Sequence, residues 1–123
     1  GGMALLYASK DLKSDSTGAS IVKKACRKPF NQILVNAGYD NTQAEILSAQ
    51  LVTANHSWNG YNIKTEEIVD MKEAGIIDPT KVARTALQNA ASVAGTVLLT
   101  ECTVVNEPSD DSKQQIDPMM GMM

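Results

Sequence analysis

The sequence predicts a mainly α-helical chain with one short β-hairpin and a disordered C-terminal tail. Several stretches place apolar residues at helical spacing, with capping or breaking residues at their ends. One stretch, residues 60–70, alternates as short strands do. Beyond residue 105 the apolar periodicity stops and acidic and polar residues dominate, a composition typical of disorder.

The first helix is predicted over residues 3–12, directly after a pair of glycines. Ala4, Leu5, Ala8 and Leu12 recur there at helical spacing. The segment KSDSTG that follows is polar and predicts a loop.

A pair of helices is predicted around Pro29. An apolar face begins at Ala19, but proline lacks a backbone donor and disfavours helical geometry at Lys28. We therefore expect one helix to end at Lys28 and another to start at Pro29. Gly38 is expected to end that second helix as its C′ residue.

The next helix is predicted from a capping-box pattern, TQAE. Thr42 would be the N-cap residue and Glu45 would occupy position N3. The helix would continue to about Ala54, with Ile46, Leu47 and Leu51 as its apolar positions.

The single β signal is a hairpin. Tyr61 and Ile63 fit one strand, Ile68 and Val69 fit the second, and residues 64–66 fit the turn between them. Because one isolated hairpin is marginally stable, it needs a neighbouring surface or further strands.

The last helix is predicted from residue 79 to about residue 104. Asp78 is suited to the N-cap position and Pro79 to position N1, where the missing N–H costs nothing. One face of this helix is rich in alanine and buries little surface of its own. Another helix is therefore expected to pack closely against it.

Charge and composition exclude some classes of partner. Residues 1–105 hold ten acidic and ten basic residues, and the net charge of −3 comes from residues 106–123. No long-range positive field is present to attract nucleic acid or an anionic membrane. Lys23, Lys24, Arg27 and Lys28 are interpreted as a solvated helix face. No signal peptide or membrane span is expected.

The side chains include few candidates for chemistry. Cys26 and Cys102 match no metal or redox spacing and are expected to be free thiols. His56 and Trp58 are interpreted as loop residues without a ligand role. Asn62 and Asp78 flank the predicted hairpin region, where both could face a polar ligand. No nucleophile with a base, no metal cluster and no phosphate-binding loop is visible in the sequence.

A resemblance to a known family indicates more about function than the individual residues do. The stretch GYN…EEIVDMKEAGIIDPTKVARTALQNAASVAG closely resembles the group I chaperonins, the GroEL type. The similarity continues through LLTECTVV to a methionine-rich end, and GGMALLYASK resembles the glycine-rich start of a helix in the same proteins. It covers essentially the whole chain, most loosely over residues 39–59.

The resemblance implies a place in a larger protein. Residues 1–105 would be the C-terminal part of the equatorial, ATP-binding domain, and residues 106–123 an acidic, Met-rich disordered tail. The sequence begins without an initiator methionine, which we take as a sign that it is cut from a longer chain. The complete subunit would form a homo-oligomer of heptameric rings stacked in pairs.

Three residues of the sequence match residues of the nucleotide site in this family. Gly1 matches a family glycine whose backbone lies against the nucleotide, Asp78 an aspartate near the adenosine moiety, and Asn62 an asparagine beside the adenine. Ile63 and Lys64 depart from the family, because two alanines are usual at these positions. Both are therefore set aside as ligand contacts.

Other parts of the family's machinery have no counterpart in the sequence. The phosphate loop, the catalytic aspartate, the magnesium ligand and the apical domain for co-chaperonin and non-native polypeptides would lie upstream. ATP, with Mg²⁺ and K⁺, is expected in the complete protein, and this chain alone is expected to be inactive. The alternative is a free-standing helical interaction module without ATPase activity. We expect a bacterial cytoplasm in preference to a mitochondrial matrix.

Overall fold

The computed structural model describes residues 1–13, 15–54, 56 and 58–100. In these ranges it is mainly helical, with a single two-stranded antiparallel sheet. The predicted fold class is thereby confirmed, while the predicted tail at residues 106–123 lies outside the described residues. The elements, in chain order, are α1 (Met3–Lys10), α2 (Thr17–Asn36), α3 (Asn41–Ala54), β1 (Asn59–Asn62), β2 (Glu67–Asp70) and α4 (Thr80–Leu99).

The chain divides into two compact units, Gly1–Gln88 and Asn89–Met123. The first unit contains α1 to α3, the hairpin and the N-terminal part of α4. The described part of the second unit consists of the C-terminal part of α4 and Thr100.

Helix α2 passes through Pro29 without ending, so the predicted break at this residue is wrong. Cys26, Phe30 and Leu34 fall on one face of the continuous helix and are all buried. Burying a phenylalanine or leucine side chain contributes about 1.5–3 kcal/mol each. Together these contributions offset the cost of an internal proline, about 3 kcal/mol.

Gly38 ends α2, as the sequence predicts. Its φ of 101° lies in the left-handed region. The N–H of Gly38 donates to the Val35 carbonyl at 3.0 Å, and the N–H of Tyr39 donates to the Leu34 carbonyl at 3.1 Å. These bonds form a Schellman motif, which satisfies carbonyls at the end of the helix.

A capping box does open α3, but at other residues than predicted. The Gln43 N–H donates to Asp40 Oδ1 at 2.7 Å, and the Asp40 N–H donates to Gln43 Oε1 at 3.1 Å. Asp40 is therefore the N-cap residue, and the assignment of Thr42 and Glu45 is wrong. The helix starts earlier because aspartate and glutamine meet the same requirements as threonine and glutamate.

The hairpin pairs Asn59 with Asp70 and Tyr61 with Ile68. Ile63 lies in the turn and not in the first strand, since the turn spans the residues between Asn62 and Glu67. The strand β1 contacts α3 and receives a hydrogen bond of 2.8 Å from the Tyr7 hydroxyl to the Asn59 carbonyl. The helices thus supply the neighbouring surface that a lone hairpin requires.

The core lies among α1, α2 and α3. Leu6, Leu34 and Leu51 are its most buried large side chains, each at most 1% exposed. Met3, Phe30 and Ala44 complete the buried cluster, and partly buried residues from the helices, the hairpin and the loops pack around it: Tyr7, Tyr39, Leu47, Val52, Tyr61 and Ile63.

Helix α4 begins at Thr80, one residue later than predicted. The Pro79 carbonyl accepts the first helical hydrogen bond, from the Ala83 N–H at 3.2 Å, so Pro79 and not Asp78 is the N-cap residue. No residue of α4 is buried, and Val93, Val97, Leu98 and Leu99 are among its exposed apolar side chains. Within the described ranges, none of the helices has the length and apolar character needed to cross a membrane.

Candidate functional site

The glycine pair at the start of α1 lies directly on α2. Gly2 has a φ of 78°, and a Cβ atom there would be 2.6 Å from the Phe30 backbone nitrogen. Only glycine combines this backbone conformation with such a close approach. Gly2 therefore fixes the position of Gly1 against α2.

Gly1 meets two distant segments of the chain. Its nitrogen, which is the N-terminal ammonium of this sequence, lies 3.3 Å from Oδ2 of Asp78, whose side chain is half-exposed. A Cβ atom on Gly1 would lie 2.6 Å from Cδ1 of Ile33. Gly1 thus lies between the C-terminal part of α2 and the segment that precedes α4.

The first cavity beside Gly1, here called the Asp78 cavity, has a volume of about 350 Å³. Among the described residues that line it, Asp78 carries the charged side chain. Trp58 forms part of the wall and is half-exposed, with Lys72 Nζ 5.5 Å from its ring centroid. The lining residues are Gly1, Met3, Ala4, Tyr7, Trp58, Asn59, Met71, Ile76, Ile77, Asp78 and Thr80.

The second cavity beside Gly1, here called the Asn62 cavity, has a volume of about 420 Å³. Its lining residues are largely apolar, and Asn62, Tyr61 and Lys64 are those with polar side chains. The lining residues are Gly1, Phe30, Ile33, Leu34, Tyr61, Asn62, Ile63, Lys64, Met71, Ala74 and Ile76.

The two cavities are neighbours that share Gly1, Met71 and Ile76. The Met71 N–H donates to the Trp58 carbonyl at 2.8 Å, and the Ile76 N–H donates to the Met71 carbonyl at 2.9 Å. Gly60 allows this arrangement, because a Cβ atom there would be 2.5 Å from the Met71 side chain. Of the predicted site residues, Gly1 therefore lies beside both cavities, whereas Asn62 and Asp78 line different ones.

The hairpin turn orients Asn62. Its Oδ1 accepts a hydrogen bond of 3.0 Å from the Lys64 N–H, and its main-chain carbonyl accepts one of 2.7 Å from the Glu66 N–H. The side-chain amide nitrogen of Asn62 remains able to donate two hydrogen bonds. Asn62 can therefore donate to an acceptor in the cavity while its Oδ1 stabilises the turn.

Two tyrosines connect this cavity to the helices. The hydroxyls of Tyr39 and Tyr61 lie 2.8 Å apart, and their rings meet edge to face with centroids 5.8 Å apart. This hydrogen bond, with burial and the charges of Tyr61 and Glu66 as smaller causes, raises the pKa of Tyr39 to about 12.

The remaining candidates stay outside both cavities. His56 is exposed, and Cys26 is buried, which raises the pKa of its thiol. Cys102 lies outside the described residues. Lys24 and Lys28 are exposed on α2, and in the described ranges no group of three His, Cys, Asp or Glu residues could hold a metal ion.

A comparison with family models gives this geometry a context. A model described as the TCP-1/cpn60 chaperonin family matches residues 3–108, which is most of the chain. The chain belongs to this chaperonin family. Asn62 and Asp78 lie within the matched range, and Gly1 and Gly2 immediately precede it. Chaperonins of this family generally form oligomeric rings and assist protein folding.

The sequence does not indicate that several residues around the Asp78 and Asn62 cavities lie there. Ile33, Met71 and Ile76 read as ordinary apolar residues, and only the tertiary structure brings them beside Gly1. Trp58 is a loop residue, as the sequence predicts, and it also lines the Asp78 cavity. Tyr39 lies in the loosely similar stretch and bonds to a tyrosine of the GYN motif.

The side chains that line the Asp78 and Asn62 cavities suit an uncharged, partly apolar ligand with hydroxyl and ring-nitrogen groups. Asn62 offers N–H donors, and the Asp78 carboxylate can accept hydrogen bonds from hydroxyls. Apolar side chains from α2 and from the loop after β2 supply flat contact surface.

Proposed function

We propose that this chain is the C-terminal part of the equatorial domain of a group I chaperonin subunit, and that it contributes the adenosine side of an ATP site. The observation that carries the proposal is that Gly1 and Asp78, which are far apart in sequence, line the same cavity. The family resemblance assigns both residues to the nucleotide.

The two cavities divide the nucleoside between them in this proposal. The adenine ring would lie in the Asn62 cavity, where Ile33, Ile76 and Tyr61 offer apolar surface and Asn62 donates to a ring nitrogen. The ribose hydroxyls would lie near Gly1 and donate to the Asp78 carboxylate. A hydrogen bond to a charged group contributes about 1.5–3 kcal/mol, more than a neutral one.

Ile63 and Lys64 need not obstruct this arrangement. Ile63 packs against the buried cluster of the helices, and the backbone of Lys64 is engaged by Asn62 while its side chain is exposed. Their larger side chains would therefore shape the rim of the Asn62 cavity. They are not proposed as specific contacts.

Helix α4 supports the placement in a larger domain. In the second unit, Val97 and Leu98 are both exposed, and adjoining exposed apolar side chains on one helix favour packing against another segment. In the proposed domain this helix packs against other helices of the complete subunit.

The complete protein would bind ATP with Mg²⁺ and K⁺ and couple its hydrolysis to protein folding. The metal ions and the γ-phosphate would be held by residues outside this chain, so we propose that this chain alone is inactive. Phosphoryl transfer requires positioning and charge neutralisation that the adenosine side does not provide. We also propose that the complete protein forms heptameric rings stacked in pairs, acts with a co-chaperonin and is located in a bacterial cytoplasm.

The test is adenine-nucleotide binding to the complete chaperonin by competition with a fluorescent ATP analogue. We expect Asp78→Asn and Asn62→Ala to raise the Kd for ADP about tenfold, the effect of losing one good hydrogen bond. Asp11→Asn and Asn41→Ala, which change exposed residues away from both cavities, should alter it less than about twofold.

The same measurement separates the alternative function. A free-standing interaction module would bind no adenine nucleotide, and the two site variants would then match the wild type. Unchanged affinity in both Asp78→Asn and Asn62→Ala, beside measurable binding by the wild type, would instead place the nucleotide elsewhere.

A further inference from the structure

Tyr39 occupies an unusually well-defined position between two helices. It is the C″ residue of the Schellman motif that ends α2, with its N–H on the Leu34 carbonyl. The next residue, Asp40, is the N-cap of α3 and belongs to a reciprocal capping box. Because hydrogen bonds fix the backbone on both sides, the Tyr39 ring projects from a rigid support.

From this support the Tyr39 ring reaches the hairpin. Its hydroxyl lies 2.8 Å from the Tyr61 hydroxyl, and the two rings pack at 88° to each other. An edge-to-face pair prefers this geometry, and the hydroxyl bond adds a direction to it. Both rings also pack against the buried helical cluster, so the contact is shielded on one side.

Tyr61 transmits this support to the cavity. It lies next to Asn62 in β1, and both residues line the Asn62 cavity. The other end of the same strand is held by the hydrogen bond from Tyr7 to the Asn59 carbonyl. With both ends of β1 tied to helices, the strand has little freedom to tilt.

We propose that Tyr39 is a positioning residue for the nucleoside cavity, which acts through Tyr61 to hold Asn62 at the distance that the base requires. This inference rests on the proposed nucleotide site. Tyr39 itself does not line either cavity, so its effect on a ligand would be indirect.

Tyr39→Phe removes the hydroxyl bond and should loosen β1 without changing a residue that lines either cavity, whereas Tyr61→Phe also changes a residue of the Asn62 cavity. Without the hydroxyl bond, Tyr61 is held by ring packing alone and Asn62 samples a wider range of positions. When Asn62 is no longer held in place, it must be ordered as the ligand binds. This ordering is unfavourable and therefore raises the Kd. A single neutral hydrogen bond contributes about 0.5–1.5 kcal/mol, so we expect a two- to tenfold weaker binding of ADP.

The experiment compares Tyr39→Phe, Tyr61→Phe and the double variant in the complete chaperonin. Each should raise the Kd for ADP and the KM for ATP by two- to tenfold, with kcat nearly unchanged. Because both changes delete the same bond, the double variant should be no weaker than the weaker single variant. The control is Ser9→Ala, which removes a buried hydroxyl bond of 2.7 Å to the Leu6 carbonyl, away from both cavities.

The outcomes distinguish the inference from the function on which it rests. If Ser9→Ala and Tyr39→Phe lower the Tm alike and neither changes the Kd, while Asn62→Ala does, Tyr39 has only a structural role and the inference is wrong. If Asn62→Ala and Asp78→Asn leave the Kd unchanged, the proposed site fails and the inference with it. Should Tyr39→Phe fail to fold, Tyr61→Phe tests the same bond, and an unchanged Kd in that variant overturns the inference.

Discussion

Asn31 and Glu45 are joined across the interface of α2 and α3 by a hydrogen bond of 2.6 Å, from Nδ2 of the amide to Oε1 of the carboxylate. Asn31 is 6% exposed, and its Oδ1 is buried with no hydrogen-bond partner in the described structure. The Glu45 carboxylate thus accepts a hydrogen bond from α2 across the interface between the two helices. This explains why Glu45 does not serve the capping box that the sequence suggests.

The Asn31–Glu45 bond should contribute measurably to stability. In Glu45→Ala the buried amide nitrogen loses its acceptor, and an unsatisfied buried donor costs about 1–3 kcal/mol. We expect the free energy of unfolding in urea to fall by that amount. Glu45→Gln retains an acceptor oxygen at the same place and should lose less than half as much. Equal losses in the two variants would show that the acceptor is unimportant.

The capping box of α3 gives a second prediction. Asp40→Ala removes the acceptor for the Gln43 N–H and should lower the free energy of unfolding by about 1 kcal/mol. Thr42→Ala changes an exposed residue inside the first turn and should be close to neutral. Denaturant unfolding of both variants shows whether Asp40 or Thr42 is the N-cap residue of α3. A larger loss of unfolding free energy in Thr42→Ala would contradict the assignment of Asp40.

Much of this fold could be predicted from local sequence rules. The start of α1, the C′ role of Gly38, the end of α3 and the hairpin each depend on residues close together in the chain. The break predicted at Pro29 is wrong because tertiary packing there competes with a local rule. Pro29 stays helical because Phe30 and Leu34 are buried on the same face, and no local pattern reveals that burial.

The candidate site was accessible from the sequence only in part. Gly1, Asn62 and Asp78 came from the family resemblance, and the structure places Gly1 and Asp78 beside the same cavity. The walls of the Asn62 cavity come from α2, the hairpin and the loop after β2. Contacts between such distant segments have no periodicity or spacing that a single sequence displays.

Gly38 and Gly18 offer a matched pair for the role of backbone conformation. A Cβ atom would meet nothing within 4 Å at either position, but Gly38 has a φ of 101° and Gly18 lies within α2. Gly38→Ala should cost about 1–2 kcal/mol of stability, because an L-residue resists the left-handed region. Gly18→Ala should be neutral or stabilise by up to about 1 kcal/mol. Thermal unfolding of the two variants should therefore shift in opposite directions, and parallel shifts would refute the argument.

The Tyr39–Tyr61 pair predicts a specific dependence of stability on pH. The pKa of Tyr39 rises from the ordinary value of 10.0 for tyrosine to about 12, first because of the hydrogen bond to Tyr61. A raised pKa means that the folded state holds the proton more tightly than the unfolded state. The resulting stabilisation is complete below pH 10 and is lost as the pH rises towards 12.

The measurement is the difference in Tm between the wild type and Tyr39→Phe as a function of pH. This difference should be constant from neutral pH to about pH 9 and should shrink between pH 10 and 12, where the wild type loses the contribution of Tyr39. Other groups titrate in this range too, but they are common to both proteins and cancel in the difference. In Tyr61→Phe, the spectroscopic titration of Tyr39 should move to lower pH because its hydrogen-bond partner is gone. A Tm difference that stays constant through pH 12 would mean that the two hydroxyls are not bonded in solution.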